Sequence, residues 1–167
     1  MPDYASKLTA TAASVLDGEH FVAAMKCFPQ GYVRRKVKHT SLLGAAGAAR
    51  LAGERKPDHA LDGELLPMEL AIGLTETRAF VFQVSINTTK AKLPPLKVVP
   101  RDVVVEVASR PGRTYLTHQT VMWLTLRDGT VLALETAQRH QHNGEQFVAE
   151  LSHTARLVDV PAAEDAR

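Results

Sequence analysis

Leu74-Thr75-Glu76-Thr77-Arg78-Ala79-Phe80-Val81-Phe82 is the centre of the segment, residues 67 to 136, on which the fold turns. Before it, Met68, Leu70, Ile72 and Leu74 alternate with Glu69, Ala71 and Gly73. After it, Phe80, Phe82, Val84 and Ile86 alternate with Val81, Gln83 and Ser85. A period of two is that of a half-buried strand. The polar Thr75-Glu76-Thr77-Arg78 between the two runs predicts a hairpin.

Working toward the C-terminus, residues 87 to 95 read as a loop carrying Lys90 and Lys92. Leu96 to Pro100 is extended, because a proline biases the residue before it away from helix. Val103, Val105 and Val107 mark a strand, and Arg110-Pro111-Gly112-Arg113 is expected to turn it. Tyr115 lies in a short strand. Val121 to Arg127 follows, with Met122, Leu124 and Leu126 opposite Val121, Trp123 and Thr125. Asp128-Gly129 is a hairpin signal, and Val131 to Thr136 returns with Leu132 and Leu134 inward. A helix over 145 to 157 closes the series. Asn143 and Gln146 resemble a capping box, and Phe147, Leu151, Thr154, Val148 and Ala155 share one face.

Toward the N-terminus, residues 4 to 16 predict a short helix with Leu8, Ala12, Val15 and Leu16 on one face, stopped at Asp17-Gly18. Phe21 to Phe28 reads as a strand with Phe21, Ala23, Met25 and Cys27 on one side, paired with a second strand over 32 to 38. Residues 41 to 53 are small and apolar, an expected helix or loop insertion. Residues 54 to 66 are an expected polar surface loop. One domain, 1–160, with a frayed tail at 161–167, accommodates all of this.

The chain has 167 residues, 45% hydrophobic, with net charge +2, which by itself names no partner. The one cysteine, Cys27, excludes an internal disulfide and fits a reducing compartment. Met1-Pro2-Asp3-Tyr4 is unlike the start of a secretory signal, and no apolar run approaches the ~20 residues of a membrane span. The expectation is a cytoplasmic protein.

A strand meander closed by one amphipathic helix is the order of the pleckstrin-homology-like (PH-like) fold. Leu74-Thr75-Glu76-Thr77-Arg78 leading into Phe80-Val81-Phe82, then Val99-Pro100-Arg101, Leu126-Arg127-Asp128-Gly129-Thr130 and Phe147-Val148-Ala149-Glu150-Leu151, resemble bacterial PH-like domain proteins. The resemblance covers roughly 66 to 152. It implies a mainly β, α+β fold: a curved antiparallel sheet or barrel capped by the C-terminal helix. It also implies a non-enzymatic module that binds proteins, its own copies or phosphoinositides. It carries over no lipid-binding residue.

Among candidate sites, the basic cluster Arg34, Arg35, Lys36 and Lys38 is the densest. From Lys26 to Lys56 there are eight Lys or Arg and one acid, whereas residues 57 to 76 hold five acids and no base. The bland reading is a solvated edge strand guarded by charge. The functional reading is an anionic partner, a membrane surface or acidic protein, with nucleic acid weakest because no aromatic platform interleaves with the charges. His140-Gln141-His142, with His118 and His153, falls short of the three or four convergent ligands a metal needs. Glu135 or Glu106 beside a histidine would be needed for acid–base work, and no spacing demands it. No cofactor motif is present. The expected function is therefore protein binding or self-association, with a homo-oligomer as one outcome. The alternatives are peripheral membrane binding through the basic N-terminal segment, or a ligand-binding protein or enzyme with a cavity under the last helix.

Overall fold

The computed structural model describes residues 3–29, 60–61, 64–65, 67, 69–84, 90–114, 117–136 and 140–160. The expected strand over 32–38, the basic cluster Arg34, Arg35, Lys36 and Lys38, the 41–53 insertion and the 161–167 tail lie outside them. The elements run α1 (Tyr4–Ala12), a 3-10 turn (Ala13–Val15), β1 (Ala23–Pro29), β2 (Ala60–Leu61), β3 (Glu64–Leu65), β4 (Leu70–Leu74), β5 (Arg78–Gln83) and β6 (Lys97–Pro100). A second 3-10 turn (Arg101–Val103), β7 (Val104–Thr114), β8 (Thr117–Leu126), β9 (Val131–Thr136), α2 (Gln141–Leu151) and β10 (Arg156–Leu157) complete the chain. Eight strands form one sheet in the order β10-β7-β8-β9-β1-β4-β5-β6, and β2 and β3 pair separately within the expected surface loop. All pairings in the large sheet are antiparallel except β10 with β7.

The central hairpin forms as its alternation requires, with Leu74 opposite Ala79 and Ile72 opposite Val81. Thr75 closes the turn, its Oγ1 accepting from the Arg78 amide at 3.0 Å. β4 is, however, buried on both faces. One face carries Met25, Leu70, Ile72, Leu74, Met122, Leu134 and the α2 residues Phe147 and Leu151 in a single apolar cluster. The other carries Ala24, Ala71, Phe80 and Phe82 under Tyr4, Ala5, Leu8 and Ala12 of α1. Ala71 and Gly73, which resemble a solvent face in sequence, are small because a helix and Phe21 lie over them. Phe21 accordingly belongs to the α1 side, not to the side of Met25 and Cys27, and Phe82 faces α1, while Phe147 and Leu151 pack with Leu74 and Leu134.

A helix on each face replaces the barrel capped by one helix. The sheet is open, ending at β10 and β6, and neither closes nor curls. The edges explain why. β6 is four residues long, follows Pro94-Pro95 and ends at Pro100, and β10 has two residues, so neither offers a ladder long enough to close. The PH-like resemblance therefore fails at the level of architecture, and the family, the β-barrel and the PH-like interaction function read from it are withdrawn.

Three local expectations are also corrected. Arg110 to Arg113 do not turn. They continue β7 opposite Val121 to His118, and Pro111 is tolerated there because β10 covers β7 only at Glu106 and Val107. A bulge between Val104 and Glu106 makes Val105 the extra residue, so Val104 and Val107 point inward while Val105 is exposed. The last helix starts at Gln141, four residues earlier than expected, and His140 takes the cap position, where Asn143 Nδ2 meets its Nδ1 at 2.8 Å.

Candidate functional site

On the α1 face, between the cluster under α1 and a smaller apolar group of Ala108, Val121 and Trp123, runs a buried polar seam. Lys26, Glu69, Gln119 and Glu135 are each less than a tenth exposed. Lys26 Nζ lies 3.8 Å from a Glu69 carboxylate oxygen, and Gln119 Nε2 donates to Glu135 at 3.1 Å. A buried pair of opposite charges roughly offsets its own desolvation, so the seam adds little net stability. Lone charges inside apolar runs, Lys26 in Ala23-Ala24-Met25-Lys26-Cys27-Phe28 and Glu69 before Leu70, were the available sequence signal.

At one end of this face α1 meets the start of α2. The Tyr4 ring stands edge-on to His140 with centroids 4.9 Å apart. Burial, then the charges of Lys26 and Lys7, hold the His140 pKa below its usual value. Burial, and then Cys27, push the Tyr4 phenol well up, and its Oη has no hydrogen-bond partner. On the other face Arg101 is a clamp. Its Nη1 donates to the Thr75 carbonyl at 3.2 Å, its Nε to Thr154 Oγ1 at 3.3 Å, and its Nη2 to the Glu150 carbonyl at the end of α2. These groups tie elements together.

The residues proposed from sequence for acid–base work are engaged elsewhere: Glu135 with Gln119 and Glu106 in an ion pair with Arg156. His153 pairs with Glu150 at 3.4 Å and His142 lies 4.0 Å from Glu145, both on the exposed surface of α2 and its end. Among the described residues no three His, Cys, Asp or Glu side chains converge as metal ligands.

The surface feature with unexplained chemistry is the strip from Lys90 to Val98. Ala91 bridges to Val84, the Lys92 amide donates to the Gln83 carbonyl at 2.9 Å, and the Leu96 amide to the Val81 carbonyl at 2.8 Å. Between these pins Leu93-Pro94-Pro95 bows away from β5, and β6 then pairs with β5 as the sheet's edge. Leu93, Leu96 and Val98 are 44%, 40% and 43% exposed and follow one another along a single edge, whereas the other exposed large apolar residues, Val105, Val131 and Leu157, lie on β7, β9 and β10. Lys90 and Lys92 are exposed beside them and Lys97 is half-buried. Residues 84 to 101 hold Lys90, Lys92, Lys97 and Arg101 and no acid. Two of these lysines, Lys90 and Lys92, fall in the loop expected over 87 to 95. Exposed leucines between them were not legible, because alternation does not say which strand is the edge.

No protein-family model matches the chain, and no curated protein matches it in sequence.

Proposed function

We propose that this is a non-enzymatic domain that attaches peripherally to an anionic bilayer surface through the strip Lys90–Val98. The observation that carries the reading is the conjunction of three exposed apolar side chains with lysines and no acid on one edge. Two other partners fit that edge less well. Pro94, Pro95 and Pro100 lack the N–H groups that an added strand would pair with, so strand addition is disfavoured. A second copy docked on the same strip would set lysines against lysines. A lipid surface asks for neither: leucines enter the headgroup boundary and lysines meet anionic lipid, each contributing about 1 kcal/mol. Anionic lipids concentrate on the cytoplasmic leaflet, which is where the reading places the protein.

The test is co-sedimentation with vesicles of phosphatidylcholine, with and without phosphatidylserine. Binding is expected only where phosphatidylserine is present. It weakens as salt shortens the Debye length from ~10 Å at 0.1 M to ~3 Å at 1 M. Leu93→Ser with Leu96→Ser, and separately Lys90→Ser with Lys92→Ser, should each lower it. The cluster Arg34, Arg35, Lys36 and Lys38 is a second basic segment, and its four-serine variant measures its share. Sedimentation of the unaltered chain at the phosphatidylcholine background overturns the reading.

A further inference from the structure

On the α1 face, beyond the polar seam, Ala108, Val121, Trp123 and Ala133 form a separate apolar slot, and Val158 and Val160 fill it. The segment reaches it by crossing the edge of β7. Ala155 is still packed in the α2-side cluster, and Thr154 is held by Arg101. From there Arg156 and Leu157 pair in parallel with Glu106 and Val107, and the Val158 amide donates to the Val107 carbonyl at 3.0 Å. Little secures this strap. Its ladder is two residues long, both are exposed, and the two valines are only half-buried. The Arg156–Glu106 ion pair is exposed and worth little. The floor beneath is fixed: Trp123 is 3% exposed, the Arg110 guanidinium lies 5.8 Å from its ring centroid, and its Nε1 has no hydrogen-bond partner.

We propose that residues 156–160 exchange between two copies of this chain, each strap occupying the other's Trp123 slot in a two-fold dimer. The occupant follows from complementarity, since Val158 and Val160 of this chain are the side chains that pack against the slot. Exchange restores every contact made within one chain and so costs only association entropy and hinge strain. The hinge falls just past Ala155, the last residue anchored in the core. Direct pairing of two β7 edges is hindered by Pro111, which has no N–H, so exchange of the strap is the route left at this edge.

The full chain carrying Glu106→Cys and Arg156→Cys tests it. Paired strands bring the two Cα atoms to about 4.8 Å, inside the disulfide range of about 4.4–6.8 Å, while native Cys27 is buried. After oxidation, exchange yields covalent dimers without free exposed thiols, in a proportion that rises with the concentration at which the protein was equilibrated. Monomers closed on themselves at every concentration overturn the proposal. A second measurement needs no cysteine. Val158→Asp with Val160→Asp should abolish the dimer seen in sedimentation of the unaltered chain and red-shift the emission of Trp123, the only tryptophan. An unaltered chain that sediments only as a monomer, or a dimer that survives these changes, also overturns it.

Discussion

The ring of Phe21 stands over Gly73, with Cδ1 and Cε1 each 2.6 Å from where a β-carbon on Gly73 would lie. Phe21 is held there by its own amide, which donates to Thr9 Oγ1 of α1 at 3.0 Å, and by edge-on contacts with Phe80 and Phe82. Gly73→Ala should therefore force the ring off its seat and loosen α1, at a cost of about 1–3 kcal/mol. Urea unfolding checks this, and an unshifted midpoint would show that the ring moves freely.

Arg101 should be far more costly to lose than the neighbouring Arg127. Arg101→Leu strands the buried Thr75 carbonyl and the end of α2, and each buried acceptor left unpaired costs about 1–3 kcal/mol. Arg127 pairs with Asp102 at 2.8 Å with both side chains more than half exposed, and Arg127→Leu should cost under about 1 kcal/mol. Equal melting temperatures for the two variants would contradict this.

His140 sets a pH dependence on the acid side of neutrality. Its folded-state pKa lies below that of a free imidazole, chiefly through burial and then through Lys26 and Lys7. The unfolded chain therefore takes up the proton first. The stability His140 contributes is full above about pH 6.5 and declines as pH falls toward the folded pKa. His140→Gln keeps an acceptor for Asn143 and should flatten the stability profile between neutral pH and that lower limit. The carboxyls of Asp3, Glu19 and Asp128 are held below the usual carboxylate range by their hydrogen bonds and so titrate below this window. A profile identical in both proteins would remove His140 from the account.

Cys27 should be inert in the folded protein. It is fully buried and its thiol pKa is pushed well up by burial, so little thiolate exists to react. A thiol reagent should modify it only at the rate of unfolding, and prompt stoichiometric labelling in native buffer would contradict that.

The central hairpin and the Asp128-Gly129 turn were legible because pattern and turn chemistry agree there. Gly129 takes a φ of +88°, as that turn requires. The second covered face was not, since Ala71 and Gly73 carry no hydrophobic signal while making room for a helix. Pro111 and Gly112 read as a turn because their usual meaning assumes an interior strand, whereas β7 is nearly an edge. β10 has two residues and no pattern to read. In the candidate site, Lys90 and Lys92 were visible as charges, but the exposure of Leu93, Leu96 and Val98 follows only from the placement of β6 at the end of the sheet.

β1 belongs to two ladders. Ala23 to Cys27 pair with β4, and Cys27 to Pro29 pair with β9, so Cys27 stands in both. The first partner of β1, Leu70–Leu74, follows it in the chain well before the second, Val131–Thr136. β1 can pair with β4 first, but its Cys27–Pro29 end lacks its other partner until β9 is available. Completion of the sheet thus depends on the sequence-distant pairing of β1 with β9, the kind of contact that slows folding.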